Sequence, residues 1–364
     1  MRLPRRTFVL SVLVLATALA TSGAPRAIGT PAASAPARLS DAEFWRLASG
    51  FSEPDGTFHS ENLVSNETRF QSIVPSLIEV TRPGRAYIGV GSEQNYTYIA
   101  AVRPAMAFIV DIRRGNFDLH LTYKALFEMS ATRAEFVSRL FARPLPPDLG
   151  PSSTAREIFD AVQRTAADES RYRENLQSIV NHLTKTHRFA LSDGDRSGIE
   201  YVYRAWFTAG PGISYQLNGG WRGGQFPTYA DLMTATDDRG VNRSYLASEE
   251  SFRLIKDLHA RNLIVPVVGN FGGQKALRAV GAYLAQQGLV VSAFYASNVE
   301  QYLQRDGLWS DFCANAATLP LDARSVLIRS TRGGFSGFSR GGPGAGFFLE
   351  LVPIASETSA CAAR

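Results

Sequence analysis

The segment Tyr87-Ile-Gly-Val-Gly-Ser-Glu-Gln-Asn95 restricts the fold of this chain more than any other stretch. Arg85 to Val90, apolar from Ala86 onward, reads as a buried strand, and Gly89 and Gly91 permit a sharp turn at its end. Glu93 to Val102 then reads as a helix, stopped by Pro104, and Ala107 to Ile112 as a second buried strand. Strand, glycine turn, helix and strand make one βαβ unit, which calls for a parallel pair joined by a crossover.

The same rhythm returns downstream. Glu249 to Ala260 is helical in pattern, followed by the strand Leu263 to Val268, a helix from Gln274 to Gln286 ended by Gly288, and the strand Leu289 to Tyr295. Ser325 to Arg329 and Phe347 to Val352 are two closing strands with only the Gly/Ser/Phe-rich link Gly333 to Gly346 between them, which predicts an antiparallel edge. Asn116 to Glu128, Ala131 to Phe141 and a longer helix from a Thr154–Glu157 capping box through Leu183 form a helical insertion at about 116–184. A Ser40–Glu43 capping box opens the domain with a short helix, and Gly210 to Gly224 reads as irregular. The fold class is therefore α/β: a Rossmann-like, mostly parallel sheet with antiparallel closing strands and a helical insertion, one domain over 39–364.

The amino-terminal residues read as a targeting segment. Arg2, Arg5 and Arg6 precede the apolar run Phe8 to Ala18, and Ala18-Leu19-Ala20 suits cleavage, so residues 1–20 are a signal peptide and 21–38 a flexible Ala/Pro/Ser/Gly-rich leader. Arg5-Arg6-Thr7-Phe8 also suits twin-arginine export, although Pro4 stands where Ser or Thr is usual. The expected location is periplasmic or extracellular, with no membrane span left after cleavage. Losing three arginines takes the formal charge from +5 to about +2. The remaining arginines are scattered, which argues against nucleic acid as a partner. Cys313 and Cys361 are the only cysteines and either pair or stay free. No metal site is expected: His182 and His187, five residues apart, fall on different faces of an α-helix.

The candidate ligand site is built on the first βαβ unit. Gly89 and Gly91 leave room for a ligand against the backbone, and Glu93 and Asn95 add polar side chains to the turn. Asp111 ends the second strand about 20 residues after the glycines, where a carboxylate accepts hydrogen bonds from ribose hydroxyls. A third fingerprint glycine is missing, and the polar turn suits a nucleoside or amino-acid group better than a pyrophosphate. Further polar candidates for the pocket are Asn62, Asn66 and Glu67 before the first strand, Asp231 and Asp237 (with Thr236 and Asp238) in an acidic stretch, and Asn270 and Asn298 after later strands. Capping and loop hydrogen bonding are the competing roles for these side chains. No nucleophile elbow is present, so a hydrolase is disfavoured.

Gly89-Val-Gly91 with Asp111 and the closing antiparallel strands resembles the class I S-adenosylmethionine-dependent methyltransferase fold. Glu61 to Glu67, Tyr87 to Asn95, Ile109 to Arg113, Tyr229 to Met233, Asn262 to Gly273 and Ser297 to Glu300 resemble a family of uncharacterised bacterial proteins with that fold. The resemblance implies an S-adenosyl-L-methionine-type pocket and a small-molecule ligand. It implies no substrate and no catalytic residue, and Asn270 stands where an acidic residue is expected. A non-catalytic protein that retains the fold is the alternative.

Overall fold

The computed structural model describes residues 35–144, 148–215, 226–332 and 347–362. The segments expected to be a signal peptide and most of a leader, the 333–346 link and part of the 210–224 segment lie outside them. Six strands form one sheet: β1 (Ala86–Gly89), β2 (Met106–Asp111), β3 (Ile264–Val268), β4 (Val291–Ser297), β5 (Val326–Arg332) and β6 (Phe347–Pro353). Their spatial order is β3-β2-β1-β4-β5-β6. The first five pair in parallel and β6 runs antiparallel to β5, in register from Val326↔Pro353 to Arg332↔Phe347. The chain is a Rossmann-like α/β protein with an antiparallel edge.

Burial follows from that topology. Every residue of β1, β2 and β3 is buried, so both faces of these strands are covered, and the runs Ala86-Tyr-Ile-Gly89 and Ile264-Val-Pro-Val-Val268 need no polar alternation. The helix Gln94–Val102 makes the first crossover and ends with Arg103 in a left-handed conformation just before Pro104. The helix Arg114–Met129 leaves β2 and packs against the helices Asp193–Ala209 and Glu249–Ala260. Tyr96, Tyr123, Phe127, Phe136 and Tyr245 fill the space between these elements with mostly edge-to-face rings.

Two sequence expectations change in the insertion. The long helix from the Thr154 capping box is broken into Ala155–Arg164 and Glu169–Asn181. Asp168 restarts it by accepting from the Ser170 and Arg171 N–H groups at 2.9 and 3.1 Å. The helical block also continues past 184, through a π turn at His182–Thr186 into Asp193–Ala209, whose Ser192–Asp195 capping box the patterning did not reveal. Cys313 and Cys361 are joined, fastening the helix Ile354–Ala362 to Trp309–Ala316. No helix among the described residues is long and apolar enough to cross a membrane.

Candidate functional site

The strand order reverses direction at β1, between β2 on one side and β4 on the other. In open α/β sheets the carboxyl ends of the strands leave a crevice at this switch point. A cleft lies there, with about 990 Å³ of open space including the solvent at its mouth. Val90, Gly91 and Ser92 line it after β1, Val110 to Ile112 at the end of β2, Gly269 to Phe271 after β3, and Tyr295, Ser297 and Asn298 at the end of β4.

A cover is built from the chain before β1. Glu53 N–H bonds the Val268 carbonyl at 2.8 Å and Gly56 N–H bonds Ile112 at 2.8 Å, so the segment crosses the ends of β3 and β2 in turn. Arg113 then holds it: its guanidinium donates to the Ser60 carbonyl at 2.7 Å, to the Glu61 carbonyl, and to the Glu61 carboxylate at 2.8 Å. This places Thr57, Phe58, Asn62, Ser65 and Asn66 on the cleft wall. Phe58 meets Tyr302 edge to face with centroids 5.1 Å apart, and Tyr215, Phe271 and Tyr295 add aromatic surface.

The glycine turn and Asp111 meet inside the cleft. Gly91 has φ +78°, a left-handed conformation, and a Cβ there would face the cleft with only Asn62 Nδ2 nearby, at 3.2 Å. His120 steadies the turn from behind. Its Nε2 lies 2.8 Å from the Gly91 carbonyl and its Nδ1 2.8 Å from the Tyr96 hydroxyl. A carbonyl only accepts, so Nε2 carries the proton and Nδ1 accepts from Tyr96. Burial pushes the His120 pKa down to about 4, which keeps the ring in this neutral form. Burial also raises the Asp111 carboxyl above its usual value, against the opposing pull of the Arg113 N–H, which it accepts at 2.9 Å. The Gly91 N–H helps steady the same carboxyl. Asp111 therefore faces the glycine turn and still gains from further donors.

The other sequence candidates divide cleanly. Asn62, Asn66, Asn270 and Asn298 line the cleft with Gly91 and Asp111. Asn62 at φ 49° joins Ser297 at φ 51°, two left-handed non-glycine residues at one cleft, as strained positions gather where a surface is shaped for binding. Gly89, Glu93 and Asn95 do not line it. Asn95 turns inward, accepting from Tyr87 at 2.9 Å and donating to the Val90 and Ser92 carbonyls at 2.9 and 2.7 Å, which clasps the turn from beneath. Gly89 is required because a Cβ there would lie 1.8 Å from the Asn95 amide oxygen. Glu67 also lies behind the lining: it accepts from Gln94 at 2.6 Å and from Ser297 at 2.8 Å and so braces the end of β4. Asp231 closes the capping box of the helix Tyr229–Thr234, and Asp237 accepts from the Arg239 and Val241 N–H groups and pairs with Arg243. Both are spent on local structure, away from the cleft.

Glu93 makes a separate prediction. It is fully buried, accepts from the Ser65 N–H, and its Oε2 has no partner. Burial raises its pKa to about 7. A carboxyl whose folded pKa lies above its unfolded value stabilises the fold below about pH 4, and that contribution is lost as pH rises through about 7. Glu93→Gln should therefore flatten the loss of stability between about pH 5 and 8, on the order of 2 kcal/mol, in urea melts taken across that range.

The family model described as "Domain of unknown function (DUF7790)" matches residues 62–344. The chain belongs to that family. The match spans the cover from Asn62, the glycine turn, Asp111 and the β4 end, so the whole cleft except Thr57 and Phe58 falls inside it. Among curated proteins none matches.

His120, Tyr215, Ser297 and Tyr302 are site residues that sequence reasoning missed. His120 sits among Phe117, Leu119 and Leu121 with no motif around it. Tyr302 is one turn into a short helix, Val299–Arg305, that carries no strong pattern.

Proposed function

We propose that the cleft binds a small nucleoside-bearing molecule of the S-adenosylmethionine type, with Asp111 accepting from the ribose hydroxyls and the Gly91 backbone against the ligand. The observation that carries this reading is the Asp111 carboxyl facing a left-handed, side-chain-free Gly91 at the sheet's switch point. Electrostatics favour such a ligand over a dinucleotide. The Asp111 carboxyl lies at the turn, whereas Arg305 of the lining is already paired with Asp306 at 2.7 Å. A pyrophosphate would find repulsion there, and a sulfonium or neutral ligand would not. Glu93 and Asn95 act from below the surface and shape the turn rather than meet the ligand. Phe58, Tyr215, Phe271 and Tyr302 offer aromatic faces for a base.

S-Adenosylmethionine would supply an activated methyl group. The protein's part would be to hold an acceptor in line with it while the cover excludes water. A binding protein without chemistry is the second reading. It is favoured by the lining, whose polar side chains other than Asp111, Arg305 and Asp306 are amides and hydroxyls. We propose further that the chain works outside the cytoplasm, supported by the basic and apolar order of its first residues and by the Cys313–Cys361 bridge.

Titration with S-adenosylmethionine and S-adenosylhomocysteine, with NAD as control, tests the proposal. At ligand about 100-fold above Kd, the adenosyl compounds should stabilise the fold by about 2.7 kcal/mol and NAD should not. Stabilisation by NAD alone would overturn it. Formation of S-adenosylhomocysteine with transfer of the methyl group to water or an added nucleophile would favour the transferase over the binding protein.

A further inference from the structure

A second cluster of functional side chains lies at the other end of the sheet. Lys124 reaches the His259 carbonyl and the Asn262 side chain just before β3, which places the cluster at the amino end of that strand. The π turn at His182–Thr186 is closed by His187 N–H donating to the His182 carbonyl at 3.0 Å, five residues back. An α-helix would point these two histidines apart; the wider turn sets them side by side, with ring centroids 4.9 Å apart and planes at 87°. Such turns concentrate at functional sites. The α-helical spacing that sets His182 and His187 on different faces does not hold in the π turn.

Both Nε2 atoms converge on one oxygen of Glu128: His182 at 2.7 Å and His187 at 2.6 Å, each from Oε2. The other oxygen, Oε1, accepts from Lys124 at 2.7 Å. On its far side His187 Nδ1 lies 2.7 Å from Asp41 Oδ1, which also accepts from Asn262 at 2.8 Å. A neutral imidazole has a single N–H. If His187 spends it on Asp41, its Nε2 lone pair points straight at a carboxylate oxygen, and a positive centre must lie between them. A second proton on the His187 ring is one such centre. A divalent metal ion is the other. A histidine whose remote N–H is held by a carboxylate is the usual arrangement of a metal ligand.

We propose that Glu128, His182 and His187 bind a divalent transition-metal ion of the zinc type, with Asp41 orienting His187 and solvent completing the coordination. Two imidazoles and a carboxylate with an open position match zinc in ligand type and number. All three donor atoms lie within 4.8 Å of one another. At metal–ligand distances of roughly 2.0–2.2 Å in a tetrahedral site the N···O separations would widen by about 0.7 Å, a shift open to His182, whose side chain is 19 % exposed. A shallow depression lined by Asp41, Trp45, Thr186, His187 and Arg188 gives access from solvent. Glu128 belongs to the helix after β2, the histidines to the insertion and Asp41 to the first helix, so an ion here would pin the insertion to the sheet domain. This proposal stands independently of the cleft.

The test is Zn²⁺ and Co²⁺ binding to chelator-treated full-length protein. A single Zn²⁺ should remain per chain after desalting and raise the melting temperature, and Co²⁺ should give the visible bands of a tetrahedral or five-coordinate site. His182→Ala, at a partly exposed position, should abolish the bands and the thermal shift while leaving far-UV circular dichroism unchanged. Asp41→Asn should weaken binding about 10–100-fold. Absence of binding to the folded wild type at micromolar metal would overturn the proposal, as would equal binding by His182→Ala.

Discussion

Arg133→Ala should lower folding stability by about 3–5 kcal/mol, the range for removing one partner of a buried ion pair. Arg133 is 2 % exposed and its guanidinium has acceptors on every side. Nε donates to Glu249 at 3.1 Å, Nη1 to the Leu246 and Ala247 carbonyls at 2.8 and 2.9 Å, and Nη2 to Pro151 at 3.2 Å and to Ser153. The substitution leaves four carbonyls without their donor and the Glu249 carboxylate with only the residue 133 N–H, at 3.3 and 3.4 Å, and it weakens the tie between the insertion and the helix Glu249–Ala260. Lysine should recover little, because a single ammonium cannot serve acceptors spread around a planar fork. Arg69→Ala is the control. Its partner Asp238 and Arg69 itself are both about two-thirds exposed, and its loss should cost less than about 1 kcal/mol. Denaturant melts of the three variants give the comparison; equal losses for Arg133→Ala and Arg69→Ala would contradict it.

Gly91→Val should abolish adenosyl-ligand binding and also destabilise the protein by more than about 1 kcal/mol. The two effects have separate causes. A β-branched residue is strained at φ +78°, whatever space surrounds it. The added methyl groups would also project where the ligand is proposed to meet the backbone. Gly91→Ala separates them: its lone Cβ meets only Asn62 Nδ2 at 3.2 Å, so most of its stability loss is conformational. Thermal melts give the first effect and ligand titration the second. Undiminished affinity in folded Gly91→Val protein would place the ligand elsewhere.

Much of the sheet was legible in the sequence because its strands are buried on both faces. Ala107-Phe-Ile-Val110 and Leu263-Ile-Val-Pro-Val-Val268 are continuous apolar runs, and their limits fall within two residues of the observed strands. The glycine turn and Asp111 were legible for a different reason: backbone geometry and strand position constrain them locally. What patterning could not show is which way a polar side chain turns. Glu93 and Asn95 follow Gly91 within four residues, as Ser92 does, yet both are fully buried and support the turn from beneath. Asn62 and Asn66 reach the cleft while Glu67, their neighbour, braces Ser297. These choices depend on contacts between segments distant in sequence, such as Gln94 with Glu67. The His182–His187 pair was hidden by a change of helical period, which residue spacing alone cannot reveal.

Calorimetric titration of S-adenosylhomocysteine into the wild type and Asp111→Asn tests the cleft most directly. Asparagine is nearly isosteric and keeps an acceptor for the Arg113 N–H, so the fold should be retained with little change in melting temperature. The proposed ribose contacts predict saturable binding to the wild type that Asp111→Asn weakens by about 1–3 kcal/mol, the range for hydrogen bonds to a charged group. Equal affinity in the two proteins, or no binding by folded wild type, would contradict the account.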